Sequence, residues 1–182
     1  LSDYYSIEYL DRKIDNFGDI ELLVVYHPSD ISTKTEYALE QYILGGGNTL
    51  IFLDPFFEKD DHSNKKSNLE NVLKTLNINY NDNVILDGTQ ATRLQTQQNI
   101  SDNTSLQTLL KLNWPEIRGE YINQQEEIGN GLSLVRLISP GGFRPLNEES
   151  DVTYTPILSS SELTMDLPIK DVQDPIELIN NF

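Results

Sequence analysis

Cysteine is absent from the 182 residues of this sequence. A cysteine nucleophile, a thiolate metal site and a disulfide are therefore all excluded. The redox compartment stays open, because a chain without cysteine tolerates either side of a membrane. The length fits one domain that can bury a core without covalent crosslinks.

Basic residues are scarce. Lys and Arg number 13 against 29 Asp and Glu, so the formal net charge is −16 at pH 7. A field of that sign repels nucleic acid and anionic lipid, and we expect neither as a partner. Solubility explains the charge most simply, while a cation or a basic protein surface would also fit it.

Long apolar runs are also missing. No stretch approaches the roughly 20 residues that span a bilayer, and no signal-peptide pattern is present. The chain starts at Leu1 and continues directly into an amphipathic stretch. We therefore expect a fragment or a processed piece of a longer protein. It should form a single domain over residues 1–182, with a regular βαβ core in residues 1–88 and a loop-rich remainder in residues 89–182.

The clearest pattern is a strand–helix–strand unit. The nearly continuous apolar run of residues 20–26 is typical of a strand covered on both faces. The next segment has a helical cap at Ser32 or Thr33 and an apolar stripe, and the glycines at 45–47 end it. A second apolar strand follows at residues 49–53. This order is the crossover of a parallel sheet.

The pattern continues more weakly along the chain. We predict an α/β fold, a mostly parallel sheet flanked by helices with a more irregular C-terminal part. Polar, apolar-poor sequence predicts a long loop at residues 89–108. The remaining predictions are a helix at 69–76, strands at 5–9, 84–86, 132–138 and 152–158, and a closing helical turn within 159–182.

Polar side chains follow three predicted strands, namely His27, Asp54 and Asp87. Because ligands bind at the carboxyl ends of the strands in open α/β sheets, these three residues are candidates for one ligand-binding edge. The alternative is structural. Aspartate before proline or glycine is an ordinary turn residue, and His27 would then only cap a loop.

Other motifs do not predict chemistry. The glycines at 45–47 end a helix and precede a strand, which is the wrong place for a phosphate loop. Glu58 and residues 60–62 have ligand side chains, but their spacing fits no EF-hand or zinc template. The serines at 159–161 lack a G-x-S-x-G frame. We therefore predict no catalytic residues, no metal and no cofactor.

A family resemblance rests on the same strand–helix–strand unit. Its residues are Leu22-Leu23-Val24-Val25-Tyr26-His27-Pro28, Ile31-Ser32, Glu36-Tyr37-Ala38-Leu39-Glu40-Gln41-Tyr42-Ile43, Gly45-Gly46-Gly47 and Leu50-Ile51-Phe52-Leu53-Asp54-Pro55. This order resembles the GldG-like family, an auxiliary component of an ABC-type transport system related to gliding motility. Later segments are similar as well, at residues 69–76, 79–87 and 154–161.

The resemblance implies a soluble region on the periplasmic face of the inner membrane, held by membrane-spanning segments and partnered with an ABC permease and ATPase. It supplies no catalytic residues, so we expect a non-catalytic binding or scaffolding domain and not an enzyme. The fold also resembles flavodoxin-like and glutamine-amidotransferase-like domains, but the latter need a nucleophilic cysteine.

Two other functions stay open. The alternative is a carbohydrate- or peptide-binding domain, or a hydrolase, that uses the carboxyl edge of the sheet. A cytoplasmic receiver-like module fits less well, since it needs an acidic pair on the first strand and a late lysine.

Overall fold

The first two strands of the computed structural model form a parallel pair. β1 (Leu22–Tyr26) and β2 (Asn48–Phe52) are joined by α1 (Thr33–Leu44), and Val24 lies opposite Leu50 in the register. The predicted strand–helix–strand unit is therefore confirmed.

The residues that the structure describes are 4–55, 67–81, 83–100 and 103–172.

Helix α1 begins and ends as its sequence predicts. The Ser32 hydroxyl caps it by accepting the N–H of Thr35 at 3.1 Å, which satisfies one of the donors left open in the first turn. Gly47 follows the helix end and lies against the ring of Tyr42. A Cβ atom there would be 2.3 Å from a ring carbon, so only glycine fits without movement of the ring.

A short second helix packs behind the first. α2 (Glu70–Thr75) has no side-chain cap of its own. The Glu36 carboxylate of α1 accepts the backbone N–H of Asn71 at 3.1 Å and its side-chain amide at 2.9 Å. It thereby supplies the missing cap from a neighbouring element. The core that these elements enclose consists of Phe17, Leu23, Leu39, Leu69, Val72 and Leu73.

The two faces of the β1–β2 pair differ sharply. Leu23 of β1 packs in the core with Leu39 of α1. The opposite face, which we call the outer face, carries side chains that are 46–66% exposed. Its members are Leu22, Val24, Tyr26, Leu50 and Phe52. The expectation that β1 is covered on both faces is wrong within the described part of the chain.

The next strands pair antiparallel with segments far along the chain. β3 (Ile78–Asn81) pairs with β8 (Gly142–Pro145), and β4 (Val84–Asp87) pairs with β9 (Thr164–Leu167). A second group of buried side chains consists of Val84 and Leu86 of β4 together with Leu112.

The longest hairpin joins β5 (Ala91–Ile100) and β6 (Asn103–Arg118), and β7 (Leu134–Arg136) adds to the far end of β6. The register shifts between Ala91 and Thr92, which lie opposite Pro115 and Lys111. Proline cannot donate to a ladder, and it is accommodated at this bulge.

The predicted fold class is wrong. A mostly parallel sheet flanked by helices was expected, but the sole parallel pairing among the described strands is β1–β2, and the other three sheets are antiparallel. The physical reason is that β3 and β4 do not extend the parallel pair. They pair with β8 and β9, whose positions no local pattern reveals.

The local predictions divide in a similar way. The helix at 69–76 and the strands at 84–86 and 132–138 are confirmed, the last as the shorter β7. Residues 5–9 form no strand, residues 152–158 contribute a single bridge at Leu158, and residues 89–108 form most of the β5–β6 hairpin instead of a loop. The closing turn occurs at Ile169–Asp171, and residues 173–182 lie outside the described part.

The core of the β1–α1–β2 unit is testable at one position of α1. Leu39 is 2% exposed, so Leu39→Ala should lower the free energy of unfolding by about 2–5 kcal/mol, because it removes buried methyl groups and leaves a cavity. The matched change Leu44→Ala, at an exposed position of the same helix, should stay within about 0.5 kcal/mol. Urea denaturation followed by circular dichroism measures both, and equal losses would contradict the assigned core.

Candidate functional site

The carboxyl edge of the parallel pair brings two predicted site residues together. His27 follows β1 directly, and its backbone N–H donates to the Phe52 carbonyl at 2.9 Å. Asp54 lies just beyond β2. The His27 Nδ1 and Asp54 Oδ2 atoms are 3.3 Å apart, and the two side chains are 11% and 34% exposed. Their proximity is confirmed, while a role in ligand binding stays a prediction.

The loop after His27 has a constrained backbone. His27 has a φ of +40° and Asp30 a φ of +59°, a region that residues other than glycine enter rarely. Asn68 holds this loop from the other side: its N–H donates to the Pro28 carbonyl at 2.8 Å, and its side-chain amide donates to the Ile31 carbonyl at 3.2 Å. The edge is thus built from β1, β2 and the segment before α2.

A histidine beside a carboxylate has defined chemistry. A carboxylate that accepts a hydrogen bond from Nδ1 leaves Nε2 of the imidazole as the accepting ring nitrogen. Such a pair suits a hydrogen bond to a sugar or peptide, or proton transfer. No cluster of three or more metal-ligating side chains occurs in the described residues. The acidic stretch with Glu58 and residues 60–62 lies outside them.

Asp87 does not join this edge. It ends β4, which pairs with β9 and not with β1 or β2, so the shared edge expected for three residues is not formed. Its side chain is fully buried. Oδ1 accepts hydrogen bonds from the N–H groups of Thr89 and Gln90 and from the Ser161 hydroxyl, at 3.0, 2.9 and 2.7 Å. Oδ2 accepts from the Gln90 amide at 3.1 Å and the Ser161 N–H at 2.8 Å.

These bonds give Asp87 a structural role. Burial by itself raises the pKa of the carboxyl, but the hydrogen bonds from Ser161 and Gln90 together outweigh it and hold the pKa below its ordinary 3.8. The charged form is therefore the one that the fold stabilises. The turn alternative considered for this residue fits these contacts, and a ligand-binding role for Asp87 stays a prediction.

Two features were not predicted from the sequence. Glu116 on β6 lies opposite Arg136 on β7 and forms ion pairs with Arg136 and Arg118. The hydrogen bond from Arg136 is the main cause that holds the pKa of Glu116 below its ordinary 4.5. The spacing of Glu116 and Arg118 on one strand was readable, but Arg136 is brought in by strand pairing alone.

The second feature is a cleft of about 410 Å³ between residues 120–125 and residues 156–159. The backbone bridge of Ile122 with Leu158 lies in its wall, together with the bond from the Asn123 N–H to the Ile157 carbonyl at 2.8 Å. Backbone groups of the two sides therefore bond each other at these positions. No local motif marks this cleft, because its two sides are more than 30 residues apart.

The sequence matches a protein-family model over residues 1–182, and the proteins of that family belong to the class of ABC-type transport systems. The chain belongs to the family described as "ABC-type uncharacterized transport system", whose members are auxiliary components of such systems. No curated protein and no solved structure shows significant similarity to it. Among the described helices, none has the length and apolar character that crossing a membrane requires.

The Asp87 network is testable through stability and its pH dependence. Asp87→Ala leaves buried donors of Gln90 and Ser161 unsatisfied, so the free energy of unfolding should fall by roughly 3 kcal/mol or more at pH 7. The control Asp151→Ala, at an exposed position, should change little. Urea denaturation over a pH series measures both.

The sign of the pH effect follows from the lowered pKa. Asp87 contributes stability above its unfolded value near 3.8 and loses it as the pH falls through the lower folded value. The difference between the wild-type chain and Asp87→Ala should therefore be constant above about pH 5 and shrink in more acidic solution. A difference that grows as the pH falls would contradict the network.

Proposed function

We propose that the chain is a non-catalytic, extracytoplasmic binding or scaffolding domain of an ABC transporter auxiliary subunit of the GldG-like type. The observation that carries this proposal is the family match over residues 1–182. The GldG-like resemblance of residues 22–55 supports the finer assignment, because that unit is formed as its sequence predicts.

The proposed partners are the permease and ATPase subunits of the same system. The proposed location is the periplasmic face of the inner membrane, with anchoring through parts of the protein outside residues 1–182. The net charge of −16 supports a role beside the membrane instead of on its anionic lipid, since like charges repel. A role without catalysis is consistent with an auxiliary transport component.

Co-purification tests this function. The tagged full-length protein, extracted from membranes in mild detergent, should retain the permease and the ATPase, because the proposed role requires a lasting complex. Quantitative immunoblotting measures both subunits, and an unrelated tagged periplasmic domain on the same membrane anchor is the control. Retention of neither subunit would contradict the proposed function.

A protease experiment tests the proposed location. Protease added to spheroplasts should cleave the domain, and protection from protease would contradict that location.

A second candidate function rests on the His27–Asp54 pair. Its position at the carboxyl ends of two parallel strands is where α/β sheets bind ligands. A carbohydrate or a peptide would then accept and donate hydrogen bonds there, and a hydrolase would use the imidazole as a base. The partial exposure of Asp54 leaves this carboxylate accessible.

Asp54→Ala separates this candidate from a structural role. The His27–Asp54 contact is partly exposed and contributes about 0–1 kcal/mol, so the Tm should fall by no more than about 4 °C. Loss of transport in cells with that small change would support a ligand site, and a large fall in Tm would contradict it. Thermal shift with a panel of sugars and divalent ions is the second measurement, and Asp151→Ala, at an exposed position, is the control.

A further inference from the structure

The outer face of β1–β2 is a contiguous apolar surface without charged side chains. Val24 lies opposite Leu50 and Tyr26 opposite Phe52, with the two rings 6.0 Å apart. The fifth apolar member, Leu22, lies opposite Asn48. Five neighbouring side chains, each about half exposed, amount to an apolar patch on the order of a few hundred Å², the size that marks interaction sites.

The architecture indicates what shape would cover this face. Strands of a parallel pair are ordinarily buried on both faces, and α1 covers the inner face with 12 residues. Five-residue strands span about 17 Å, which corresponds to a helix of about 11 residues at its rise of 1.5 Å per residue. A helix of about three turns, matching α1 in length, therefore fits the outer face.

Charge indicates what kind of chain carries that helix. Two copies of a chain with a net charge of −16 repel each other, which disfavours a second copy as the occupant. The side chains of Asp19 and Glu21 are exposed just before β1, and Asp54 lies beyond the end of β2. Acidic residues thus flank the strand pair in sequence, before β1 and after β2, and the chain as a whole is strongly acidic. This charge complements a helix that carries Lys or Arg beside its apolar stripe.

We propose that the outer face docks an amphipathic helix of about three turns from a partner protein, with its apolar stripe on the five residues and basic side chains at its flanks. The proposal rests on the proposed function, because the partner is a subunit of the same transport system. The recognition is a helix laid on an apolar surface, with charges that orient it.

The test compares two double variants of the tagged full-length protein. Val24→Lys with Leu50→Lys places charge in the centre of the outer face. Leu146→Lys with Leu163→Lys makes the same change at apolar positions of similar exposure elsewhere. The permease and ATPase recovered with each variant are quantified by immunoblotting, and circular dichroism melting of each domain verifies that it folds.

The wild type and the Leu146/Leu163 variant should retain the subunits equally. The Val24/Leu50 variant should retain at least about tenfold less, since a charge in a desolvated contact is costly. Recovery by the wild type should also fall as the salt rises from about 0.1 M to about 0.5 M. Should the Val24/Leu50 domain fail to fold, Val24→Thr with Leu50→Thr removes apolar contact with strand-compatible residues and should lower recovery in the same direction.

The other outcomes contradict the inference in distinguishable ways. Equal recovery by both variants would overturn it and leave the proposed function standing. No recovery by the wild type would overturn the proposed function and this inference together. If the wild-type chain sediments as a dimer and the Val24/Leu50 change dissociates it, the outer face binds a second copy of the chain. If the wild-type chain floats with phosphatidylcholine vesicles and the Val24/Leu50 variant does not, the outer face binds lipid.

Discussion

A pair of parallel strands with apolar side chains on both faces needs a cover on each face, and α1 supplies one of them. The contact of Leu23 with Leu39 belongs to that cover, and the rest of the first core assembles behind it. Glu36 extends the arrangement by capping α2 from α1, which fixes α2 against the same core. The stability of the first half therefore depends on two helices packed on one side of two strands.

The second half depends on a different interaction. Its sheets are antiparallel, and Asp87 ties the end of β4 to residues 159–161 through a carboxylate that accepts five hydrogen bonds. A buried charge without such donors would be strongly unfavourable, so the fold in this region and the ionisation of Asp87 require each other. These hydrogen bonds give Asp87 a structural role at the end of β4, while its ligand-binding role stays a prediction.

The part of the fold that could be predicted is the part whose contacts are local. The β1–α1–β2 unit closes within about thirty residues, and its caps, stripe and glycines are readable in order. β4 was readable as a strand, but its partner β9 lies about 80 residues away, and no periodicity carries that information. The β5–β6 hairpin was missed because its polar side chains resemble a loop, while backbone pairing makes it a sheet.

The candidate site follows the same rule. His27 and Asp54 meet because a parallel pair brings its carboxyl ends together, whereas Asp87 was expected there through a sheet that does not form. The pairing of Glu116 with Arg136 likewise required knowledge of the strand register. The exposure of the outer face could not be predicted from the sequence for another reason. An apolar run has the same composition whether its second face is covered or open.

This member of an ABC transport family thus presents one exposed apolar face on a parallel strand pair whose other face is covered. Hydroxyl-radical footprinting with mass spectrometry tests most directly whether this face is exposed in the isolated chain and covered in the transport complex. Tyr26 and Phe52 should be oxidised readily in the isolated chain and protected in the assembled transport complex, while Tyr37, on the solvent side of α1, should react in both. Protection of Tyr26 and Phe52 in the isolated chain, or equal oxidation of them in both samples, would contradict it.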